Sequence, residues 1–571
     1  MFNRKKKSSL GYVGGYGRSR GSGYGYVSKK GHMRMSSRRR KMPSFVPVLL
    51  GVVGVTLFLA LLVGGTTWWN YSRFTNATHE QDATRVAQTY QSGTKSRIPG
   101  SSQLFWWLAT KHVSTEMGVA ANEGIGNEAV EQFAKTYRDT PDLINEIIIP
   151  KAKSAVEQYK EMFLEEPIAA AYLDIGLQLR PENADLVEGK KTFDILVDSR
   201  AAFAAAKKAA EQPYGAEEAA DLFELVAEID EENYAIAQKE IPELRLRANE
   251  EMQTWAAPVK HFTLNPLLAF PYMTPLDYAN DYITAVEFKR ILQQLYDNGF
   301  ILVGLETLFT YDVDTGIVEP VPLRIPKDKM PIVLSIENLT YSTRHEKRGM
   351  VDRLIVSNDK VATFTSAANA GTDNDVISFD NDVIPILNAF IEENPVFSWK
   401  GARATISLTG YRGNLGYRTS FGFENQMEEI AKAKEVAGVL HENGYTFASL
   451  GFEYVEMSSL EVDQIIADAQ LWVDQTSNIV GLTNLFFWPF GDALAQDSEG
   501  AEALRAFGYR SFSQIGPNSY EAFTGVSRVD ERAFIDGNGL NNRPERYAGY
   551  FDATTVLDAE GRAQIDYWLT W

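Results

Sequence analysis

Apolar and polar positions change rhythm along this chain, and each change marks a different kind of element. From Met42 to Tyr71 no side chain is charged, and Val46–Val63 reads VPVLLGVVGVTLFLALLV before Gly64, Gly65, Thr66, Thr67, Trp68 and Trp69. Roughly 20 apolar residues in a helix cross a hydrocarbon layer of ~30 Å, so residues 44–69 are expected to be a single transmembrane helix. Residues 70–103 are polar, with turn formers at Gly93 and Pro99–Gly100–Ser101, and are expected to be a linker. Helical periodicity rich in Ala, Glu, Lys and Leu then runs from 104 to about 254. Beyond Trp255, short apolar runs alternate with amphipathic stretches. Helices are predicted at 283–298, 383–393, 424–443, 461–476 and 499–506. Strands are predicted at 300–305, 331–336, 402–408, 445–450, 484–488 and 509–515. Strands and helices in strict alternation predict an α/β domain on a parallel sheet, open or closed into a barrel, over 255–571. In a (β/α) barrel the functional loops follow the C-terminal ends of the strands.

Charge sharpens the picture of the N-terminal part. Residues 1–41 hold 13 Lys and Arg and no acid, which leaves 43 basic against 75 acidic residues in the rest. Arg38, Arg39, Arg40 and Lys41 directly precede the apolar run. Such a cluster holds its side in the cytoplasm and sends the C-terminal part outside. The apolar run is too long, and a small-residue cleavage site too clearly missing, for a secretory signal peptide. The expected location is a bacterial plasma membrane, single-pass, with an extracellular C-terminal domain. Residues 1–43 form a Gly- and Tyr-rich basic tail, GYVGGYGRSRGSGYGYV over 11–27, with too few aliphatics to build a core. Orientation and attraction to anionic headgroups account for its charge, so no nucleic-acid partner is expected. The chain has no cysteine, which excludes disulfides, thiolate metal sites and cysteine nucleophiles.

In the helical segment, LDIGLQLRPENADLVEGKK (173–191) and FELVAEIDEENYAIAQKEI (223–241) align at an offset of 50, with Asn183 and Asn233 as expected helix caps. This resembles the second half of a tetratricopeptide unit, although that repeat has a period of 34. The resemblance implies a surface for a protein partner; a generic helical spacer fits the same pattern.

The C-terminal domain resembles the polysaccharide deacetylases, the NodB-homology or carbohydrate esterase family 4 group, in their Gram-positive membrane-anchored form. The segments that carry the resemblance are 273–303, MPIVLSIEN (330–338), 390–419, 431–454 and FFWPFGD (486–492). It implies a distorted (β/α)7 barrel that removes N-acetyl groups from peptidoglycan or chitin-like sugars, with a divalent metal such as zinc polarising the amide and activating water. The residues that would do this are altered. Where the family has Thr/Ser-Phe-Asp-Asp, this chain has Ser335-Ile336-Glu337-Asn338. Glu337 keeps a carboxylate at the general-base position, whereas Asn338 replaces a charged metal ligand with an amide. The family's Ser-His-x-x-x-His is Ser449-Leu450-Gly451-Phe452-Glu453-Tyr454 here, so Leu450 and Tyr454 stand at the imidazole positions. Trp488-Pro489-Phe490-Gly491 replaces an Arg-x-Pro-Tyr-Gly-like segment, and no histidine follows His441. His261 lies near a first-strand histidine of the family, His345 in a charged loop and His441 at a helix end.

No cofactor is therefore expected, and the catalytic base at Glu337 is expected to be vestigial. A carboxylate site of Glu337, Glu453 and Asp492 for a calcium-like ion is the weaker reading beside solvated rim residues. The acidic run DNDVISFDND (373–382) lacks calcium-loop spacing. Strand mouths instead offer Tyr411, Arg412, Tyr417, Phe452, Tyr454, Trp488 and Phe490, with Asn338 as a hydrogen-bonding amide. Of these, Asn338, Tyr411, Arg412, Tyr454, Trp488 and Phe490 are the candidate carbohydrate-binding residues, Trp488 and Tyr454 being equally readable as fillers of a lost metal site. The expected function is a membrane-anchored pseudoenzyme that binds cell-wall polysaccharide, peptidoglycan or a wall-associated partner. The alternatives are an active N-deacetylase using Glu337 as base, and a scaffold that holds a surface protein through its helices.

Overall fold

The computed structural model describes residues 46–423 and 425–565, and side-chain surroundings from Val52 onward. The basic tail, residues 1–43, lies outside the described residues. Two compact units divide between Phe193 and Asp194, inside the helix Ala184–Ala210.

The first unit is all helical. Its leading helix, Val46–His79, is long and apolar enough over residues 52–79 to cross a membrane by length and composition. It does not end at Trp69. The expected linker 70–103 is instead the end of this helix, a second helix Ala83–Thr94, and the start of a third, Ser101–Asn122. Its Thr, Gln and Ser residues read as polar linker, but Phe74, Ala77, Val86 and Tyr90 recur at helical spacing and are buried. Phe74, Tyr90 and Phe105 pack ring to ring at about 6 Å. Asn183 caps Ala184–Ala210 as expected, accepting from the Leu186 N–H at 3.1 Å.

The second unit contains the barrel. Its helices Ala216–Glu224 and Glu231–Glu251 pack with the end of Ala184–Ala210 through Ala206, Ala209, Phe223 and Leu244, and fall in the same unit as the barrel. Met252–Trp255 pairs antiparallel with Leu323–Pro326, and Arg324 meets Glu217 at 2.6 Å. Asp230, not Asn233, precedes the helix Glu231–Glu251.

Seven parallel strands close the barrel in chain order: β1 Lys260–Leu264, β2 Met330–Glu337, β3 Thr405–Leu408, β4 Thr446–Ser449, β5 Leu485–Phe487, β6 Ser511–Ile515 and β7 Arg528–Phe534. Each pairs with the next, and β7 pairs with β1, Arg532 opposite His261. The strand predicted at 300–305 is found as Phe300–Leu302 and is not a barrel member; it pairs on the side of β2. Alternate residues face opposite sides. Phe262, Leu264, Ile332, Leu334, Ile336, Ile406 and Leu408 face outward into one core with the helices Ala285–Asp297, Val383–Glu393 and Gln426–Glu442. Val333, Ala448, Leu450, Leu485 and Phe487 face inward.

Candidate functional site

The polar half of the barrel interior comes mainly from β7. Arg528, Asp530 and Arg532 alternate along it and are each at most 1% exposed. Asp530 Oδ2 lies 2.7 Å from His261 Nδ1, and its Oδ1 accepts from Ser513 Oγ at 2.5 Å and Arg528 Nη1 at 3.1 Å. His261 Nε2 lies 2.7 Å from Ser335 Oγ. Arg528 Nε also meets Glu521 at 2.6 Å. Burial lowers the pKa of His261, and the Arg532 and Arg528 guanidiniums add to that. Burial alone would raise Asp530, but Arg528 and the hydrogen bonds from His261 and Ser513 hold it well below the usual carboxylate range. Both imidazole nitrogens are thus occupied, Nδ1 by Asp530 and Nε2 by Ser335.

Glu337 ends β2 at the barrel mouth, 1% exposed. Arg532 Nε donates to its Oε2 at 3.0 Å, while the Arg532 Nη groups donate to Ser513 O and, at 2.9 Å, to Trp488 O. Tyr454 Oη donates to Glu337 Oε1 at 3.4 Å, and its ring meets Phe490 at 4.4 Å. Burial, and then the neighbouring Glu337 anion, push the Tyr454 phenol up, so it stays protonated. Asn338 Oδ1 accepts from Thr409 Oγ1 at 3.2 Å. Asn338, Tyr454 and Phe490 have φ of 58°, 54° and 56°. Left-handed backbone at non-glycine residues costs of order 1–3 kcal/mol each and concentrates at functional sites. Here three strand mouths carry it in one rim.

Two buried anchors hold this rim. Asp468 accepts from the Phe452 and Glu453 N–H groups at 2.8 Å each, which fixes the loop that carries Tyr454. Phe452 O in turn accepts from the N–H groups of Gly410 and Tyr411. Tyr411 and Arg412 are half-buried, with the guanidinium 5.0 Å from the Tyr411 ring centre. Phe490 is 53% exposed. Asn338, Tyr411, Arg412, Tyr454 and Phe490 therefore all reach the surface at the strand ends.

Trp488 does not. It is fully buried on the outer side of β5, stacked on Phe512 at 5.5 Å and edge-on to Phe486. Residue parity decides this: Leu485 and Phe487 face inward, so Phe486 and Trp488 face the helices. The expectation that Trp488 offers a ring to sugar is corrected by that placement, and it does not fill a metal site inside the barrel either. Tyr417 and Phe452 are also buried, Tyr417 donating to Leu354 O at 2.8 Å. His345 meets Tyr278 Oη at 3.1 Å, and His441 meets Val480 O at 2.9 Å.

The donor set does not fit a divalent metal. Asn338 offers a neutral amide, Leu450 lies in the apolar interior, and Tyr454 is a protonated phenol spent on Glu337. Among the described residues, no three His, Asp or Glu side chains gather as a metal-binding group. Of the carboxylate trio, Glu337 is paired with Arg532, Glu453 is exposed, and Asp492 accepts from Ser458 N–H at 2.6 Å. Sequence reasoning missed Arg532, Asp530 and Asp468. The signal for the first two was RVDERAF, where Arg528, Asp530 and Arg532 occupy every second position of a strand.

Fold and site together define a closed barrel of seven parallel strands whose mouth pairs a buried carboxylate with a phenol and a guanidinium. No family matches the chain, and no curated protein matches it. A solved structure, the Streptococcus pyogenes deacetylase PplD in complex with acetate, aligns at 13% identity with a TM-score of 0.28, over 50% of this chain and 95% of that one. The fold stated above stands on this chain's own strand pairings.

Proposed function

We propose that this chain is a membrane-anchored, deacetylase-like protein whose barrel mouth binds cell-wall glycan without cutting it. One observation carries the reading: the Tyr454 phenol sits on Glu337, with Phe490 beside it, so the carboxylate at the barrel mouth is already occupied. A base locked between a guanidinium and a phenol is poorly placed to take a proton from water. Phe490, Tyr411 and Tyr454 supply apolar ring faces, and Asn338 and Arg412 supply hydrogen-bond donors for hydroxyl or N-acetyl groups. The basic cluster before the apolar helix supports an orientation with this mouth outside the cell.

Retention of the purified chain on isolated peptidoglycan tests the reading. Phe490→Ala and Arg412→Ala should each weaken retention by about tenfold, the equivalent of about 1.4 kcal/mol. Retention unchanged in both variants would contradict it and would favour a wall-associated protein as the ligand.

A further inference from the structure

The first unit exposes apolar surface beside the end of the apolar helix; along the same face of its third helix, Lys111 and Thr115 then separate this patch from a single exposed apolar residue, Val119, about three turns further on. Trp68 and Trp69 are 68% and 61% exposed on Val46–His79. Thr67 Oγ1 bonds Ser101 Oγ at 3.1 Å, and a Cβ placed on Gly100 would lie 4.0 Å from Val63. The helix Ser101–Asn122 therefore starts level with the last apolar turn of Val46–His79. It runs alongside, since Phe105 meets Phe74 and His112 meets Thr78 further on. Leu104 and Trp107, 41% and 53% exposed, occupy its first two turns. Lys111 and Thr115 continue the same face, spaced four residues on each time. The surface thus turns from apolar to polar within about one turn.

Charge follows the same border. Between Asp82 and Glu116 the chain has no acidic residue, while Arg85, Lys95, Arg97 and Lys111 are all present. Lys95 and Arg97 are exposed in the loop that leads to Gly100. This stretch is cationic within a body whose net charge beyond the tail is strongly negative. Leu and Trp backed by Lys and Arg is the composition that settles at a lipid headgroup layer.

We infer that Leu104, Trp107 and the Lys95–Gly100 loop form a lipid-docking surface that seats the first unit in the headgroup layer of the bilayer crossed by Val46–Trp69. The inference rests on reading that helix as a membrane span. A docked unit leaves the anchor with a fixed stance: the following helices rise from the membrane rather than swing from it. A protein partner is the poorer occupant, because the patch lies level with the last turn of the apolar helix and is flanked by Lys95, Arg97 and Lys111, as an anionic headgroup layer requires.

The chain has no cysteine, so single cysteines can be introduced and labelled without background. The full chain is reconstituted in nanodiscs containing anionic phospholipid and labelled with a polarity-sensitive fluorophore at Leu57→Cys, Leu104→Cys, Trp107→Cys or Val119→Cys. Brominated acyl chains and aqueous iodide serve as quenchers. Residue 57 reports the span, and residue 119 lies about 18 Å beyond 107 along the helix. Labels at 104 and 107 should be quenched by brominated lipid at least twofold more than the label at 119. Equal quenching at 104, 107 and 119, with 57 still quenched by lipid, would overturn the docking surface and leave the span intact. Protection of 104 and 107 from both quenchers would overturn it in favour of a second copy of the chain. Iodide quenching at 57 would overturn the span and the docking surface with it.

Discussion

Arg532 Nε and Glu337 Oε2 meet at 3.0 Å inside the barrel, from strands β7 and β2 that β1 separates. Neither side chain is more than 2% exposed. Two charges leave water only if each answers the other. Here the pair also fixes the carboxylate at the mouth, because the remaining guanidinium donors are tied to Ser513 O and Trp488 O.

Breaking that pair should therefore be costly. Arg532→Met strands a buried carboxylate and is expected to lower unfolding free energy by about 3–5 kcal/mol. The double variant Glu337→Met with Arg532→Met should lose clearly less than the sum of the singles. Urea denaturation of the four proteins gives the coupling; additive losses would show that the two groups do not depend on each other.

Trp488 and Phe490 should separate stability from binding. Trp488→Ala opens the Phe486, Tyr509 and Phe512 cluster and is expected to cost about 3–5 kcal/mol. Phe490→Ala, at a largely exposed ring, should change stability by less than about 0.5 kcal/mol while still weakening retention on peptidoglycan. A Phe490→Ala chain that melts early would make that ring a packing residue.

His345 should leave a signature in acid. Burial, with Arg344, Arg348, Arg412 and Arg418 nearby, lowers its pKa to about 4, against about 6.5 in an unfolded chain. The unfolded chain takes up this proton first, so the contribution weakens stability as pH falls from about 6.5 to about 4. Asp382 works in the opposite sense. Burial raises it to about 6, against about 3.9 unfolded, so the folded chain takes up that proton first. The two overlap and flatten the wild-type profile. The difference between wild type and His345→Gln isolates the histidine: the variant should gain relative stability steadily from pH 6.5 down to 4. Parallel urea midpoints across that range would contradict the shift.

Much of the barrel was legible because its outer face follows ordinary strand and helix rhythm. Helices expected at 383–393 and 499–506 are found at those bounds, and β2 to β6 fall within a few residues of the predicted strands. β1 and β7 were not among the predicted strands. In β7 Arg528, Asp530 and Arg532 point into the lumen, where closure of the barrel brings His261 to Asp530 and Glu337 to Arg532. A pattern reading takes such charges for solvated surface. Trp488 illustrates the reverse error: its position in a motif says where the chain is, but residue parity along β5 decides which way the ring faces. The 70–103 stretch failed for a third reason, since its buried residues are few and separated by Thr, Ser and Gln.

Zinc binding by the purified chain reports on the mouth of the barrel. Equilibrium dialysis against zinc, followed by an assay for acetate released from N-acetylated glycan oligomers, should give far less than one zinc per chain and no acetate above the level of Glu337→Gln. One tightly held zinc per chain, with acetate release that disappears in Glu337→Gln, would contradict the account.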